Sequence, residues 1–130
     1  MKKTESYEDD VLLFFAGKLE ELSLYQTLFR RMETTFPKGS VKVQKSQISF
    51  YGRHLFAAVS LPRSRKSFPE YSILVTLGLP YKLESPRAAV TVEPYPGRWT
   101  NHVPVSEEGQ IDSELLGWLR EAYDFSESKR

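Results

Sequence analysis

The 130-residue chain has no cysteine, which excludes disulfides, thiolate metal sites, iron–sulfur clusters and a cysteine nucleophile. Histidine is scarce: His54 and His102 are the only two, and a pair without patterned partners makes a poor metal site. No long apolar run exists. The longest, Val11 to Ala16, falls far short of the roughly 20 residues that cross a bilayer. The Lys2-Lys3 start lacks the apolar stretch and small-residue site of a signal peptide. Acids are missing from one segment. Residues 37–66 hold Lys38, Lys42, Lys45, Arg53, Arg63, Arg65 and Lys66 and no Asp or Glu, so the net charge of +1 conceals a basic middle and an acidic remainder. Such a bipolar chain can orient a polyanion or an acidic protein surface; equally, it can arise from helices that favour Glu and a hairpin with solvated basic residues.

What is present describes a folded domain. Hydrophobic residues make up 40% and charged residues 27%, which argues against disorder. The length is that of one domain, able to bury roughly two thirds of its unfolded surface without a metal or disulfide. We expect a soluble cytoplasmic protein, a single domain over residues 1–130 with its core in about 10–125 and mobile tails at 1–6 and 126–130, with no membrane contact.

The pattern predicts three helices. Ser6 is a candidate N-cap ahead of Glu8, Asp9 and Asp10, acids suited to a first turn, and Gly17 ends that helix. A second helix over Lys18–Thr35 carries the apolar stripe Leu19, Leu22, Tyr25, Phe29, Met32 and Phe36, widened by Leu24 and Leu28, at helical spacing. A third runs over Ser113–Phe125, capped by Asp112, with Ile111 placed to staple onto Leu116. Between them, strands alternate. Val41 and Val43 are out of phase with Ile48 and Phe50, which predicts a bulge or tight turn near Lys45-Ser46-Gln47. Gly52-Arg53 turns into Leu55–Leu61. Tyr71, Ile73, Val75, Leu77 and Leu79 give the clearest strand, Val90 and Val92 a short one, and Trp99–Val105 the last, where Pro104 marks an edge or the end of pairing. This order predicts an α+β fold: a mostly antiparallel, curved sheet of five or six strands, with N-terminal helices and one C-terminal helix on one face.

Several of these pieces form a pattern: Phe14-Phe15-Ala16-Gly17-Lys18, Lys45 to Phe50, Arg53 to Ala57, Thr100-Asn101-His102-Val103 and, most specifically, Ile111 to Tyr123. Over about residues 10–125 the chain resembles the prokaryotic family catalogued as domain of unknown function 5655. Members occur alone or after predicted nuclease-like domains, so the resemblance implies a small accessory module and supplies no catalytic residues. Ser46-Gln47 replaces an aromatic expected before the Ile-Ser-Phe strand, and 93–97 is richer in proline than the family pattern. The element order is also similar to the double-wing DNA-binding family typified by YjbR and MmcQ.

Chemistry is sparse. There is no Gly-x-Ser-x-Gly elbow, phosphate loop or dinucleotide fingerprint, and the strand region holds only scattered acids. We expect no catalytic residues, cofactor or metal, and a binding or accessory module. Three surfaces compete. Lys42, Lys45, Arg53, Arg63, Arg65 and Lys66, interleaved with Tyr51, suit weak nucleic-acid binding, although a pI near 7.9 is low for a dedicated binder. Arg87, Arg98, Thr100 and His102 are candidates for a small-anion pocket, unless His102 is a structural residue bonded to its neighbours. Tyr95 and Trp99, near a sheet edge, suit a protein partner or a homodimer.

Overall fold

The computed structural model describes residues 1–63 and 67–129. Two helices, α1 (Tyr7–Phe14) and α2 (Leu19–Thr35), precede six strands, β1 (Ser40–Val43), β2 (Ile48–Tyr51), β3 (Leu55–Ser60), β4 (Ile73–Leu79), β5 (Val90–Tyr95) and β6 (Arg98–Val105), and a third helix, α3 (Ser113–Glu127), closes the chain. The strands form one open antiparallel sheet in the order β1-β2-β3-β4-β6-β5. The predicted α+β class holds.

Alternation dictates which face is covered. Val41, Ile48, Phe50, Val59, Ile73, Val75, Leu77, Val103 and Val105 are all buried and lie opposite one another across the ladder. Helix α3 lies against β3 and β4, α2 against β4 and α1 against β1. From α2 the residues Leu24, Tyr25, Leu28, Phe29 and Met32 enter this core. An aromatic series, Phe15–Tyr25–Phe29–Phe50, runs from the first helices to the sheet. The Tyr7 and Tyr25 hydroxyls share a buried 2.6 Å hydrogen bond; burial pushes both phenols well above their ordinary pKa.

The phase change between Val43 and Ile48 is a tight turn, closed by Gln44 N–H donating to the Gln47 carbonyl at 2.8 Å. A bulge falls one turn later: Phe50 pairs with Ala57 but Tyr51 with Leu55, leaving Phe56 as the extra residue. Its ring enters the core, 5.1 Å from Phe36 and 5.2 Å from Tyr123.

Two expectations need correction. Leu19 is 76% exposed, because the buried stripe of α2 is shifted around the helix. Tyr71 precedes β4 instead of opening it; its φ of 56° is left-handed, which breaks the extended run. Pro104 follows the end of pairing on one side of β6: it lies past the Val90–His102 pair with β5 and still pairs with Leu74 of β4. Ala89 N–H donates to the His102 carbonyl, so the even-numbered backbone groups of β6 face β5, and Pro104 lies beyond β5's first residue. Its missing N–H therefore breaks no ladder. Contacts are also made by residues near both ends of the chain. Lys2 bridges β1 in parallel, donating to Gly39 and accepting from Val41, and Ser126 is buried within α3.

The start of α3 is fixed by charge. The Asp112 side chain accepts from Leu115 N–H at 2.9 Å, and that bond, aided by Arg87, lowers its pKa. Asp112→Ala is expected to cost about 1–2 kcal/mol, the usual value of an N-cap, measured as a shift of the denaturant midpoint at neutral pH. Since the folded-state pKa is depressed, this contribution is present above the unfolded value near about 3.9 and is lost as pH falls through the folded value. Wild type and variant should therefore converge in acid.

Candidate functional site

A cavity of about 590 Å³ opens between α1 and the β1–β2 turn. The C-terminal half of α1 contributes Leu13 and Phe14, β1 contributes Val43, and Leu61 follows β3. These make an apolar floor. Lys45 and Ser46 from the turn, Arg63 and Asp10 form its rim. Lys45 and Arg63 are both exposed, and neither makes an ion pair among the described residues. Asp10 is occupied by the Ser6 hydroxyl, which donates to it at 2.7 Å. Leu13, next to the last residue of α1, is 77% exposed, and Leu12 and Leu19 are exposed as well. A volume in the range of about 300–1,000 Å³, an apolar lining and a few convergent polar groups are the usual marks of a ligand site.

The structure divides the basic residues proposed for nucleic acid. Lys45 and Arg63 share the cavity. Lys42 is exposed on β1, and Tyr51 is half-buried at the far end of β2. Arg53 is also at that far end, where its N–H donates to Glu127 at 2.7 Å. Arg65 and Lys66 lie outside the described residues.

The anion candidates are also divided. The Arg87 guanidinium bonds Asp112 at 3.1 Å, Glu114 at 2.9 Å and the Gln110 carbonyl at 2.6 Å, with the Trp118 ring 5.4 Å away. Burial alone would lower its pKa; the bonds to Glu114 and Asp112 outweigh that and raise it. Arg87 thus ties the β4–β5 connection to the start of α3. His102 lies on the opposite face of the sheet from Val103, with Nδ1 2.9 Å from the Thr76 hydroxyl. Burial pushes its pKa down, which favours the neutral ring. Thr100 is half-buried on the same face, opposite Gly78, and Arg98 is exposed at the start of β6. The hydrogen-bond partners of Arg87 and His102 are different.

Tyr95 and Trp99 flank the β5–β6 turn; Tyr95 is 67% exposed and Trp99 half-buried. Tyr81 donates to Glu121 at 2.8 Å; burial and this bond push its phenol up to about 12. Among the described residues no group of three His, Asp or Glu side chains is placed to hold a metal ion, and no helix is long and apolar enough to cross a membrane.

One residue escaped the sequence reading. Glu21 is 8% exposed, and its Oε1 has no hydrogen-bond partner among the described residues. The signal was available: positions 21, 25, 28 and 32 are spaced by four, three and four, so Glu21 occupies the buried stripe of α2.

Fold and cavity together define a small α+β domain: an open antiparallel sheet with helices on one face and a surface groove at one end. The chain belongs to the family described as Domain of unknown function (DUF5655), whose model matches residues 13–126. No curated protein and no solved structure matches the chain, so the likeness to the double-wing family gains no support from them.

Proposed function

We propose that the chain is a non-catalytic binding module that holds an acidic, partly apolar segment of a partner protein in the groove between α1 and the β1–β2 turn. One observation carries this reading: two cations that make no ion pair among the described residues, Lys45 and Arg63, stand beside an apolar floor that includes the exposed Leu13. Leaving large apolar surface in water is unfavourable by roughly 25 cal/mol per Å², and a partner that covers it recovers that energy. Carboxylates on such a partner would form charge-assisted bonds to the two basic heads. The nucleic-acid alternative draws less support, because Arg53 is separated from Lys45 and Arg63 and no fully exposed aromatic ring lines the groove.

The test uses a fluorescein-labelled peptide of alternating Glu and Leu, its Gln/Leu counterpart and a labelled oligothymidylate, each titrated by anisotropy. The Glu/Leu peptide should bind best, and the Lys45→Glu/Arg63→Glu variant should weaken it by about tenfold or more. Tighter binding of the oligothymidylate, lost in the same variant and falling steeply with salt, would replace this reading with nucleic-acid binding. Equal binding by variant and wild type would overturn the groove itself.

A further inference from the structure

The segment before α1 is held by backbone and side chain together. Lys2 donates to the Gly39 carbonyl at 2.9 Å and accepts from Val41 N–H at 3.0 Å. Its neighbour Lys3 reaches the surface shared by α1 and α2. There the Lys3 ammonium lies 5.4 Å from the centroid of the Tyr7 ring and 5.1 Å from that of Phe29, within the roughly 6 Å of a cation–π contact. The two ring centroids are 5.2 Å apart. Glu33 and Glu8 approach the same ammonium at 3.4 Å and 3.9 Å. Phe29 and Glu33 are four residues apart on α2, which puts them on one face, while Tyr7 and Glu8 open α1. Two aromatic rings and two carboxylates thus meet one cation, the composition of a site for an alkylammonium group.

The chain's own lysine does not fill that site. A cavity of about 310 Å³ remains beside it, lined among others by Lys3, Tyr7, Glu8, Phe29 and Glu33, a volume at the lower end of the range of about 300–1,000 Å³ usual for ligands. Of the charged residues that line it, two are acids and two are cations. One cation is Lys3 itself; the other is Arg30, which donates to the Thr27 hydroxyl at 3.2 Å. With Lys3 withdrawn, the lining carries a net negative charge. Lys3 is also lightly held. The side chains of its partners Glu8 and Glu33 are 80% and 42% exposed, and ion pairs in water are worth little. Lys2 joins β1 by a single bridge, so this segment can open without unfolding the domain. The Gly39 carbonyl and Val41 N–H that hold the Lys2 backbone favour an extended peptide over a free amine. We propose that this site receives a lysine from an extended segment of a partner protein, its ammonium over the two rings and beside the two carboxylates, and that Lys2-Lys3 is the internal occupant it displaces. The site shares no lining residue with the Lys45–Arg63 groove, and neither reading rests on the other.

The experiment is a ¹⁵N-NMR titration of the full chain with acetyl-Ala-Ala-Lys-Ala-amide, with the same peptide carrying norleucine, which keeps the alkyl chain without the ammonium, and with n-butylammonium. Wild type is compared with Lys2→Pro/Lys3→Met, which loses both the N–H given to Gly39 and the ammonium. An occupant on a short tether competes at an effective concentration in the millimolar range. The double variant should therefore bind the lysine peptide at least tenfold more tightly than wild type does, with shifts at the amides of Phe29, Glu33 and Val41. Adding Glu33→Gln to that variant should remove most of the gain. If the double variant fails to fold, Lys3→Gln alone serves the same comparison. The proposal is overturned if the variant binds the lysine peptide no better than wild type, if the norleucine peptide shifts the same signals equally, or if n-butylammonium binds as tightly as the peptide, which would make the ligand a free amine. It is also overturned if unlabelled wild type shifts those signals of the labelled variant, which would assign the site to a second copy of this chain.

Discussion

Replacing Phe36 with alanine is expected to remove about 3–5 kcal/mol of stability, the usual cost of truncating a buried phenylalanine. The site justifies the upper half of that range. Phe36 follows α2 directly and is 2% exposed. Its ring stacks 5.0 Å from Tyr123 of α3 and lies 5.1 Å from Phe56, while Phe56 and Tyr123 meet edge-on. The Arg120 guanidinium covers it at 5.0 Å. One side chain therefore joins the end of α2, the flank of α3 and the bulge of β3. Removing it leaves a cavity between elements that cannot all collapse inward. Against a typical total of about 5–15 kcal/mol, that loss is a large share of the whole. Urea denaturation followed by tryptophan fluorescence measures the loss. Phe36→Leu, which keeps most of the volume, should cost far less; equal losses would show that the triad is not a packing unit.

Asn101→Ala should cost about 2–3 kcal/mol for a different reason, since a buried donor and acceptor are left without partners. Asn101 is fully buried on β6. Its side-chain oxygen accepts from Leu83 N–H at 3.0 Å and its amide donates to the Tyr81 carbonyl at 3.3 Å. These two bonds hold the start of the β4–β5 connection against the sheet and keep Leu83 buried. The variant should lose stability and show faster amide exchange at Leu83. Unchanged exchange there would mean that Leu83 packing alone secures the connection.

Asn101 also shows how far the sequence could be read. Alternation placed 101 on the same face as Val103 and Val105, but an asparagine in that row gives no hint that its partners lie some 20 residues earlier. Periodic elements were legible because burial itself is periodic: α2 ends at Thr35 as its stripe implies, and β4 and β6 follow their alternation. Leu19 and Tyr71 misled for local reasons. Both are large and apolar enough to extend a pattern, yet one lies on the solvent side of a helix start and the other in a left-handed turn. The candidate sites were less legible still. The sequence makes Arg87 a candidate for an anion pocket, and in the fold its guanidinium bonds Asp112 and Glu114. That pairing joins residues about 25 apart in the chain, a relation composition cannot encode. Lys45 and Arg63 were recognised as basic, whereas the apolar floor that gives them a shared cavity comes from α1, β1 and the end of β3.

The parallel bridge from Lys2 to β1 bears on how copies of this chain meet. A sheet with two open ends behaves like a monomer with two reactive groups and can add neighbours indefinitely. Here Lys2 occupies the first part of the β1 row, and the β5 row is interrupted by Pro94 and a shift in register. Each end is thus partly blocked, and strand addition along the full length of β1 requires Lys2 to be displaced first.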